Sequence, residues 1–233
     1  MMQIVSSRLW PSVISVLESL VVRFQGHANN WLAQRAAAQA VATLDNLLVE
    51  ASSLWQIQNF RRYSDDEVCC TVCFFDCCEA AIASNPNLFS PLRVVYDGAQ
   101  PTRAMRAGSA HPASAPRPDL TVLFGQQVTI RVEAKRLALS SGLPGKYVRQ
   151  GMRRFLDGRY SSTAGKPGIM LGFVTIDAPD NVIDAINKAI RSEPDLTDSD
   201  CLMDATAPIP AMRRCESHHS DGLMLLHCAI DLR

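Results

Sequence analysis

The segment RPDLTVLFGQQVTIRVEAK, residues 117–135, decides the fold that the sequence predicts. It contains two runs in which apolar and polar residues alternate, 119–124 and 128–135, as in strands that bury one face. The polar turn between them predicts an antiparallel hairpin. Its glycine, Gly125, stands at the first of three turn positions, whereas glycine is favoured at the last.

The apolar residues of the hairpin also predict its register. They share a single face when Phe124 lies opposite Val128. Asp119 then lies directly across from Glu133 on the other face, with the Cβ atoms about 5 Å apart. Lys135 projects beside Glu133 on that same face, two residues further along the strand.

Two carboxylates and an ammonium on one strand face suit metal-assisted hydrolysis. Carboxylates this close repel each other unless a cation lies between them. Oxygen ligands suit Mg²⁺, which keeps several water molecules and accepts phosphate oxygens. The Lys135 ammonium can orient an attacking water and offset charge on a scissile phosphate. We therefore predict a catalytic site at Asp119, Glu133 and Lys135.

These residues resemble the signature of a known superfamily. Arg117-Pro118-Asp119-Leu120, followed by Val132-Glu133-Ala134-Lys135, resembles the motif of the PD-(D/E)xK, or restriction-endonuclease-like, nucleases. The resemblance covers about residues 64–176, where the predicted element order α-β-β-β-α-β is that of the superfamily core. It implies an α/β fold with a central mixed β-sheet flanked by helices. It also implies Mg²⁺ or Mn²⁺ as cofactor, held by Asp119, Glu133 and the backbone carbonyl of Ala134.

The superfamily often adds a metal ligand from its first core helix. Glu67 is the candidate here, because it lies near the start of a helix predicted over 64–83, with Ser64 as its cap. Asp76 and Glu79, further along that helix, are the alternatives. The competing interpretation is that Glu67 only complements the positive end of the helix dipole.

A basic helix is predicted to follow the hairpin, over 144–156. Residues 131–166 contain nine basic and two acidic residues, a net charge of +7 in a chain of zero formal net charge. This is typical of a phosphate-binding surface, although a merely solvated helix face is the alternative. In RecB-like and phage-exonuclease relatives, a Gln and a nearby aromatic residue on this helix touch the active site and DNA. Tyr147 and Gln150 resemble that pair, but in reverse order. The predicted nucleic-acid-binding residues are Tyr147, Arg149, Gln150, Arg153 and Arg154.

The remaining segments give the domain organisation. Residues 1–62 are predicted to be an N-terminal helical extension, and 63–233 the nuclease-like domain, with a mobile loop at 97–118. The extension carries more apolar bulk than solvated helices need, so we expect a homodimer or a partner protein on this surface. Further predicted elements are strands over 92–96, 169–176 and 222–232, a helix over 179–191 and an irregular segment over 192–220.

Composition places the chain among soluble globular proteins. It has 233 residues, of which 47% are hydrophobic and 20% charged, and no apolar run reaches the roughly 18 residues of a membrane span. The eight cysteines come without signs of secretion, so we expect reduced thiols and a cytoplasmic protein. A zinc site is not favoured, because the spacing fits no template among Cys215, His218, His219, His227 and Cys228.

The sequence therefore predicts a metal-dependent deoxyribonuclease, with RNA not excluded as substrate. Prokaryotic defence, repair or a toxin role are all compatible with the superfamily. The alternative is a non-catalytic nucleic-acid-binding or protein-assembly module on a nuclease-like fold. The complete set of Asp119, Glu133 and Lys135 favours the enzyme, because a module without activity has no chemical need for all three.

Overall fold

The computed structural model describes six stretches of the chain. They are residues 39–57, 66–97, 117–125, 128–160, 168–205 and 212–233, apart from the side chains of Ser141 and Asp221. Most of the predicted loop (98–116) and most of the predicted N-terminal extension (1–38 and 58–62) lie outside the described residues. The chain divides into two units, of which the second, Ala40–Arg233, contains the fold.

Within the described stretches, seven strands form one mixed sheet in the spatial order β1-β2-β3-β4-β7-β6-β5. The central strands β3, β4 and β7 are parallel to one another, and the other neighbours are antiparallel. The strands are β1 (Leu92–Tyr96), β2 (Leu120–Phe124), β3 (Val128–Leu137), β4 (Gly168–Val174), β5 (Met203–Asp204), β6 (Met212–His218) and β7 (Met224–Asp231).

Helices cover both faces of the sheet, which confirms the predicted α/β class. Helices α1 (39–57) and α2 (Glu67–Ser84) share a core with one face, and the one-turn helix α3 is Pro86–Phe89. The other face is covered by α5 (Pro179–Arg191) and by α4, the name used here for three consecutive helical segments. These are Leu143–Lys146, the π-helical Tyr147–Met152 and Arg153–Leu156.

The register of the hairpin is the predicted one. Phe124 pairs with Val128, and Leu120 pairs with Val132. Gly125 has a φ of 58°, in the left-handed region that favours glycine, which accounts for a glycine at the start of the turn. β3 continues to Leu137, five residues past the last one that β2 covers. Among the residues that the structure describes, the β2-side edge of β3 therefore has no strand partner from residue 133 onward.

Three features differ from the sequence-based expectations. The side chain of Asp66, not Ser64, caps α2 by accepting a hydrogen bond from the Val68 N–H at 3.4 Å. The segment 192–220, predicted to be irregular, contains β5 and β6. The prediction missed β6 because alternating apolar residues, the usual sign of a strand, are few in it. Two of its buried residues are Cys215 and Ser217, and charged residues lie beside them.

The third difference concerns the apolar stripe of α1. We expected it to be buried against a second copy or a partner, but Leu44, Leu47 and Trp55 are buried in this chain's own core. The Trp55 ring stacks on Phe173 of β4, with 6.1 Å between ring centroids. The described part of the predicted extension is therefore integral to the domain. The expected partner surface remains a prediction for residues outside the described ranges.

Two other expectations concern the cysteines and the membrane. All eight cysteines are free thiols; Cys70, Cys73, Cys77 and Cys78 are buried and act as small core residues of α2, while Cys69 is half-buried. Within the described ranges, no helix combines the length and the apolar character that crossing a bilayer requires.

Candidate active site

The uncovered edge of β3 is occupied by two carboxylates. Ala134 and Arg136 point their N–H groups to the side that β2 no longer covers. The Ala134 N–H donates to Asp119 Oδ2 at 2.7 Å, and the Arg136 N–H donates to Glu67 Oε2 at 3.1 Å. Asp119 immediately precedes β2, and Glu67 is the first residue of α2. Two separate elements thus bring acids to one stretch of strand edge, where backbone groups fix their positions.

The Lys135 ammonium lies at the centre of this group. It donates hydrogen bonds to the Ala134 carbonyl oxygen at 2.7 Å and to Glu67 Oε1 at 2.9 Å. It also lies 2.8 Å from Glu133 Oε1. Burial lowers the pKa of Lys135, but the Glu133 and Glu67 carboxylates more than offset this, so its pKa is raised. Lys135 therefore remains charged although it is only 7% exposed.

Glu133 is fully buried and is surrounded by donors. Its Oε2 accepts hydrogen bonds of 2.8 Å from both the Tyr160 hydroxyl and Arg154 Nη1. Its Oε1 lies 2.7 Å from Arg154 Nη1 and 2.8 Å from Lys135 Nζ. These are ion-pair contacts only, since neither is angled as a hydrogen bond. Glu133 Oε1 is thus held by two neighbouring charges and not by a well-directed hydrogen bond.

Asp119 shows the electrostatic cost of grouping these acids. Burial, and then the neighbouring charges of Glu133 and Glu67, raise the pKa of Asp119 from 3.8 to about 6. The hydrogen bond from Ala134 and the charge of Lys135 lower the pKa; each outweighs the contribution of Glu67, but together they only partly offset burial and Glu133. A carboxyl with so high a pKa is typical of functional sites, where charge is concentrated against its own repulsion.

The structure therefore brings together all five residues predicted around the catalytic centre. Asp119, Glu133, Lys135, the Ala134 carbonyl and Glu67 meet at one edge of β3. The alternatives to Glu67 lie elsewhere, because Asp76 and Glu79 are exposed on α2. The register predicted the first pair, whereas only the packing of α2 against β3 shows that Glu67 reaches Lys135 and Arg136.

The residues predicted to bind nucleic acid separate into different environments. Tyr147 is 2% exposed, so it is no surface contact, and this prediction is wrong because the aromatic ring fills the core under α4. Arg149 and Gln150 are exposed. Arg149 pairs with Glu193 at 3.2 Å, and Arg153 is held by Asp195 and Glu193. These acids follow α5, so the sequence of α4 alone overstates the charge of its surface.

Arg154 instead lies with the charged group at the edge of β3. It was predicted as a nucleic-acid contact, and it lies against Glu133 while remaining partly exposed. Its Nη1 also donates to the Tyr160 hydroxyl at 3.0 Å. Tyr160 was not predicted at all, and its hydroxyl contacts the Arg117 carbonyl at 3.0 Å as well. Tyr160 thus links Glu133 to the residues that lead into Asp119. Its position in the sequence, in a turn after α4, gave no signal of this.

A second buried polar group lies away from this edge, on β6, β7 and α4. The Tyr147 hydroxyl lies 2.9 Å from His227 Nδ1, and His227 Nε2 lies 2.8 Å from Ser217 Oγ. Ser217 Oγ lies 2.7 Å from His219 Nε2, and His219 Nδ1 lies 2.6 Å from Asp200 Oδ1. All four hydrogen bonds can point the same way along this chain. Tyr147 is then the first donor, the ionised Asp200 is the last acceptor, and every group between them has a partner.

Ser217, His219 and Asp200 match the contacts of a serine-hydrolase triad, yet they lack its access. Ser217 is 0% exposed, and its oxygen is held between two imidazoles. Burial lowers the pKa of His227 to about 3, so this ring is neutral in the fold. A serine with no path to substrate is no nucleophile. The chain of hydrogen bonds connects β6, β7 and α4 beneath the surface.

The edge of β3 offers oxygen donors to a cation. Among the described residues, no three His, Cys, Asp or Glu side chains converge as a metal-binding group. The oxygens that do converge come from Glu67, Glu133 and the Ala134 carbonyl, all within 2.9 Å of Lys135 Nζ. An all-oxygen set suits Mg²⁺ or Mn²⁺. The buried Glu133 Oε1 without a hydrogen bond fits the same ion.

Comparisons of the chain with protein-family models, with curated proteins and with solved structures gave no match.

Proposed function

We propose that this protein is a metal-dependent nuclease of the PD-(D/E)xK type that hydrolyses phosphodiester bonds of DNA. One observation carries the proposal. Asp119, Glu133 and Lys135 meet at the uncovered edge of β3, and Glu67 joins them there from another element. A fold gains no stability from grouping three acids around one partly buried edge, as the raised pKa of Asp119 indicates. Such a cost is typical of a site retained for chemistry.

The topology supports the same assignment. α2, the antiparallel strands β1, β2 and β3, then α4 and a β4 parallel to β3, follow one another along the chain. α2 and α4 pack on opposite faces of the sheet. This is the element order that the resemblance implies for a restriction-endonuclease-like core.

Mg²⁺ or Mn²⁺ is the cofactor that the donor set fits. Asp119, Glu133, the Ala134 carbonyl and Glu67 would hold it. When bound, it would supply Lewis-acid stabilisation of the phosphate and a bound water of lowered pKa.

The side chains of this chain have separate roles in the proposed reaction. Lys135 carries a positive charge at the edge of β3, where it orients the attacking water and offsets charge that develops on the phosphate. Tyr160 holds Glu133 in place through a 2.8 Å hydrogen bond. Arg154, which is partly exposed beside Glu133, is placed to contact the scissile phosphate.

The rival function is a nucleic-acid-binding or assembly module without activity. The observation in its favour is that Lys135 and Arg154 both lie against Glu133 and neutralise its charge, so that the group can be stable without a metal ion. A cleavage assay decides between the two. Linear, circular and single-stranded DNA, and RNA, are incubated with the full chain in Mg²⁺, Mn²⁺ or EDTA. Metal-dependent cleavage that is lost in Glu133→Gln supports the nuclease. Binding without cleavage of any of the four substrates supports the module.

The matched control for this assay is on α2. Glu67 and Glu79 are carried by the same helix, but only Glu67 reaches the edge of β3, while Glu79 is exposed. We expect Glu67→Gln to reduce cleavage and Glu79→Gln to leave it unchanged. Equal effects of both substitutions would remove Glu67 from the site.

A further inference from the structure

We propose that the Lys135 ammonium is an internal counter-ion that occupies the position of the metal, so that a divalent ion has to displace it. Removing the charge of Lys135 then makes metal binding tighter, although it removes a catalytic group. The inference rests on the proposed metal site and specifies how that site is controlled.

The geometry around Lys135 Nζ is that of a small cation site. Three oxygens surround one nitrogen, at 2.7 Å (Ala134 carbonyl), 2.8 Å (Glu133 Oε1) and 2.9 Å (Glu67 Oε1). They come from a backbone group and from side chains on two elements. The same three oxygens are among the proposed metal ligands, of which Asp119 is the fourth. Lys135 is only 7% exposed, so the protein oxygens around its ammonium take the place of water.

Lys135 and a metal ion cannot share these oxygens in this arrangement. Mg²⁺ binds its oxygen ligands at about 2.1 Å, whereas the ammonium already lies at the centre of these oxygens, 2.7–2.9 Å from each of them. Two cations within a few ångströms also repel strongly in a partly buried site. The side chain of Lys135 is a flexible four-carbon stem, so its ammonium can move while its backbone stays in β3.

The charge balance gives this exchange a consequence. The group has three carboxylates, on Glu67, Asp119 and Glu133, and two cations, on Lys135 and Arg154. Its formal charge is therefore −1, where the three acids alone would give −3. Such a site attracts a divalent ion weakly by itself. A phosphate of the nucleic acid that draws Lys135 and Arg154 away from Glu133 restores the attraction of the carboxylates for the divalent ion. Metal and nucleic acid should therefore bind cooperatively.

The test measures metal affinity, not cleavage. Isothermal titration with MgCl₂ and with MnCl₂ is carried out on the full chain without nucleic acid, for wild type, Lys135→Met and Lys135→Arg. We expect Lys135→Met to bind at least about tenfold more tightly than wild type, and Lys135→Arg, which keeps the charge, to remain within about threefold of it. Lys188→Met, on the exposed face of α5, is the control and should not change the affinity.

Thermal stability provides a second readout that does not depend on activity. Without its counter-ion, Lys135→Met leaves Glu67 and Glu133 with fewer partners, so its melting temperature in EDTA should fall. Mg²⁺ should then raise the melting temperature of Lys135→Met by more than that of wild type. If Lys135→Met does not fold, as judged by circular dichroism, Lys135→Gln takes its place in both measurements.

Each outcome decides the proposal. A folded variant without the charge that binds metal no more tightly than wild type overturns it, even if the wild type cleaves DNA. Tighter binding in that variant supports it, even if no cleavage is found and the proposed nuclease function fails. If neither protein binds Mg²⁺ or Mn²⁺ at millimolar concentrations, both proposals are wrong.

Discussion

The Asp119 carboxylate accepts a 2.7 Å hydrogen bond from the backbone N–H of Ala134, where β3 extends beyond β2. The carboxylate thereby takes the place of a strand partner. Its position is set by the register of the hairpin and not by its own rotamer alone. Because the acceptor oxygen is fixed to β3, the acid is held close to Glu133 and Glu67 at an electrostatic cost.

Asp119→Asn should stabilise the metal-free protein while abolishing cleavage. The pKa of Asp119 is raised from 3.8 to about 6 in the fold, so between these values the folded state binds the proton more tightly than the unfolded state. Wild-type stability therefore falls as pH rises through about 4 to 6, and the variant escapes that loss. We expect a gain of about 1–2 kcal/mol above pH 6.5, below the full value of the shift because Asp119 is partly exposed.

Denaturant unfolding in EDTA measures this gain. The difference between variant and wild type should be present at about pH 7.5 and largely absent at about pH 4. A difference that is the same at both pH values would mean that the charge of Asp119 is not its cause.

Replacing Glu133 or its neighbour Lys135 should reduce cleavage while the protein stays folded. Glu133→Gln and Lys135→Met should each reduce cleavage by at least about a hundredfold, since each removes a charge that acts on the reacting phosphate or its metal. Circular dichroism checks that the variants remain folded. Asp184→Asn, exposed on α5, is the control. Wild-type cleavage in a folded Glu133→Gln would place the active site elsewhere.

Tyr160→Phe should lower both stability and cleavage without removing any charge. The hydroxyl donates to Glu133 Oε2 at 2.8 Å and is 3.0 Å from the Arg117 carbonyl. Its loss leaves buried acceptors less well satisfied, at a cost of about 1–2 kcal/mol. Unfolding free energies and initial cleavage rates measure the two effects. Tyr96→Phe, on the more exposed Tyr96 of β1, should change neither.

Ser217→Ala should be costly for stability and nearly neutral for cleavage. It removes the only hydroxyl between His227 and His219, so both imidazoles lose a partner in a buried setting. We expect a loss of about 2–3 kcal/mol in the free energy of unfolding. Ser53→Ala, exposed on α1, should cost far less. A large loss of cleavage at low temperature, where the variant is folded, would show that this group contributes to the reaction.

Arg153 and Arg154 should differ in their effect on DNA binding. The sequence predicts that replacing both weakens binding, but the structure places Arg153 on Asp195 and Glu193, whereas Arg154 lies at the edge of β3. Arg154→Gln should therefore weaken binding and reduce the salt slope by about one. Arg153→Gln should leave the slope nearly unchanged. Binding measured in Ca²⁺ over a range of KCl concentrations decides this, and equal slopes for the two variants would contradict it.

The alternation of residues in 119–124 and 128–135 was enough to determine the hairpin and its register, and with them the approach of Asp119 to Glu133. These are local properties, because a strand has a period of two and a slip of one residue exposes the apolar face. The helix over 179–191 was also predicted correctly, since its apolar period and its opening proline are both local signals.

Tertiary structure alone decided the rest. Glu67 reaches Lys135 from 68 residues away, and the acids that neutralise Arg153 lie about 40 residues beyond it. Tyr147 and Tyr160 have similar sequence surroundings, yet one is buried against His227 and the other holds Glu133. Sequence periodicity shows which face of an element is apolar, but it does not show which other element covers that face. Pairing between distant charges depends on that packing, and so does the composition of this site.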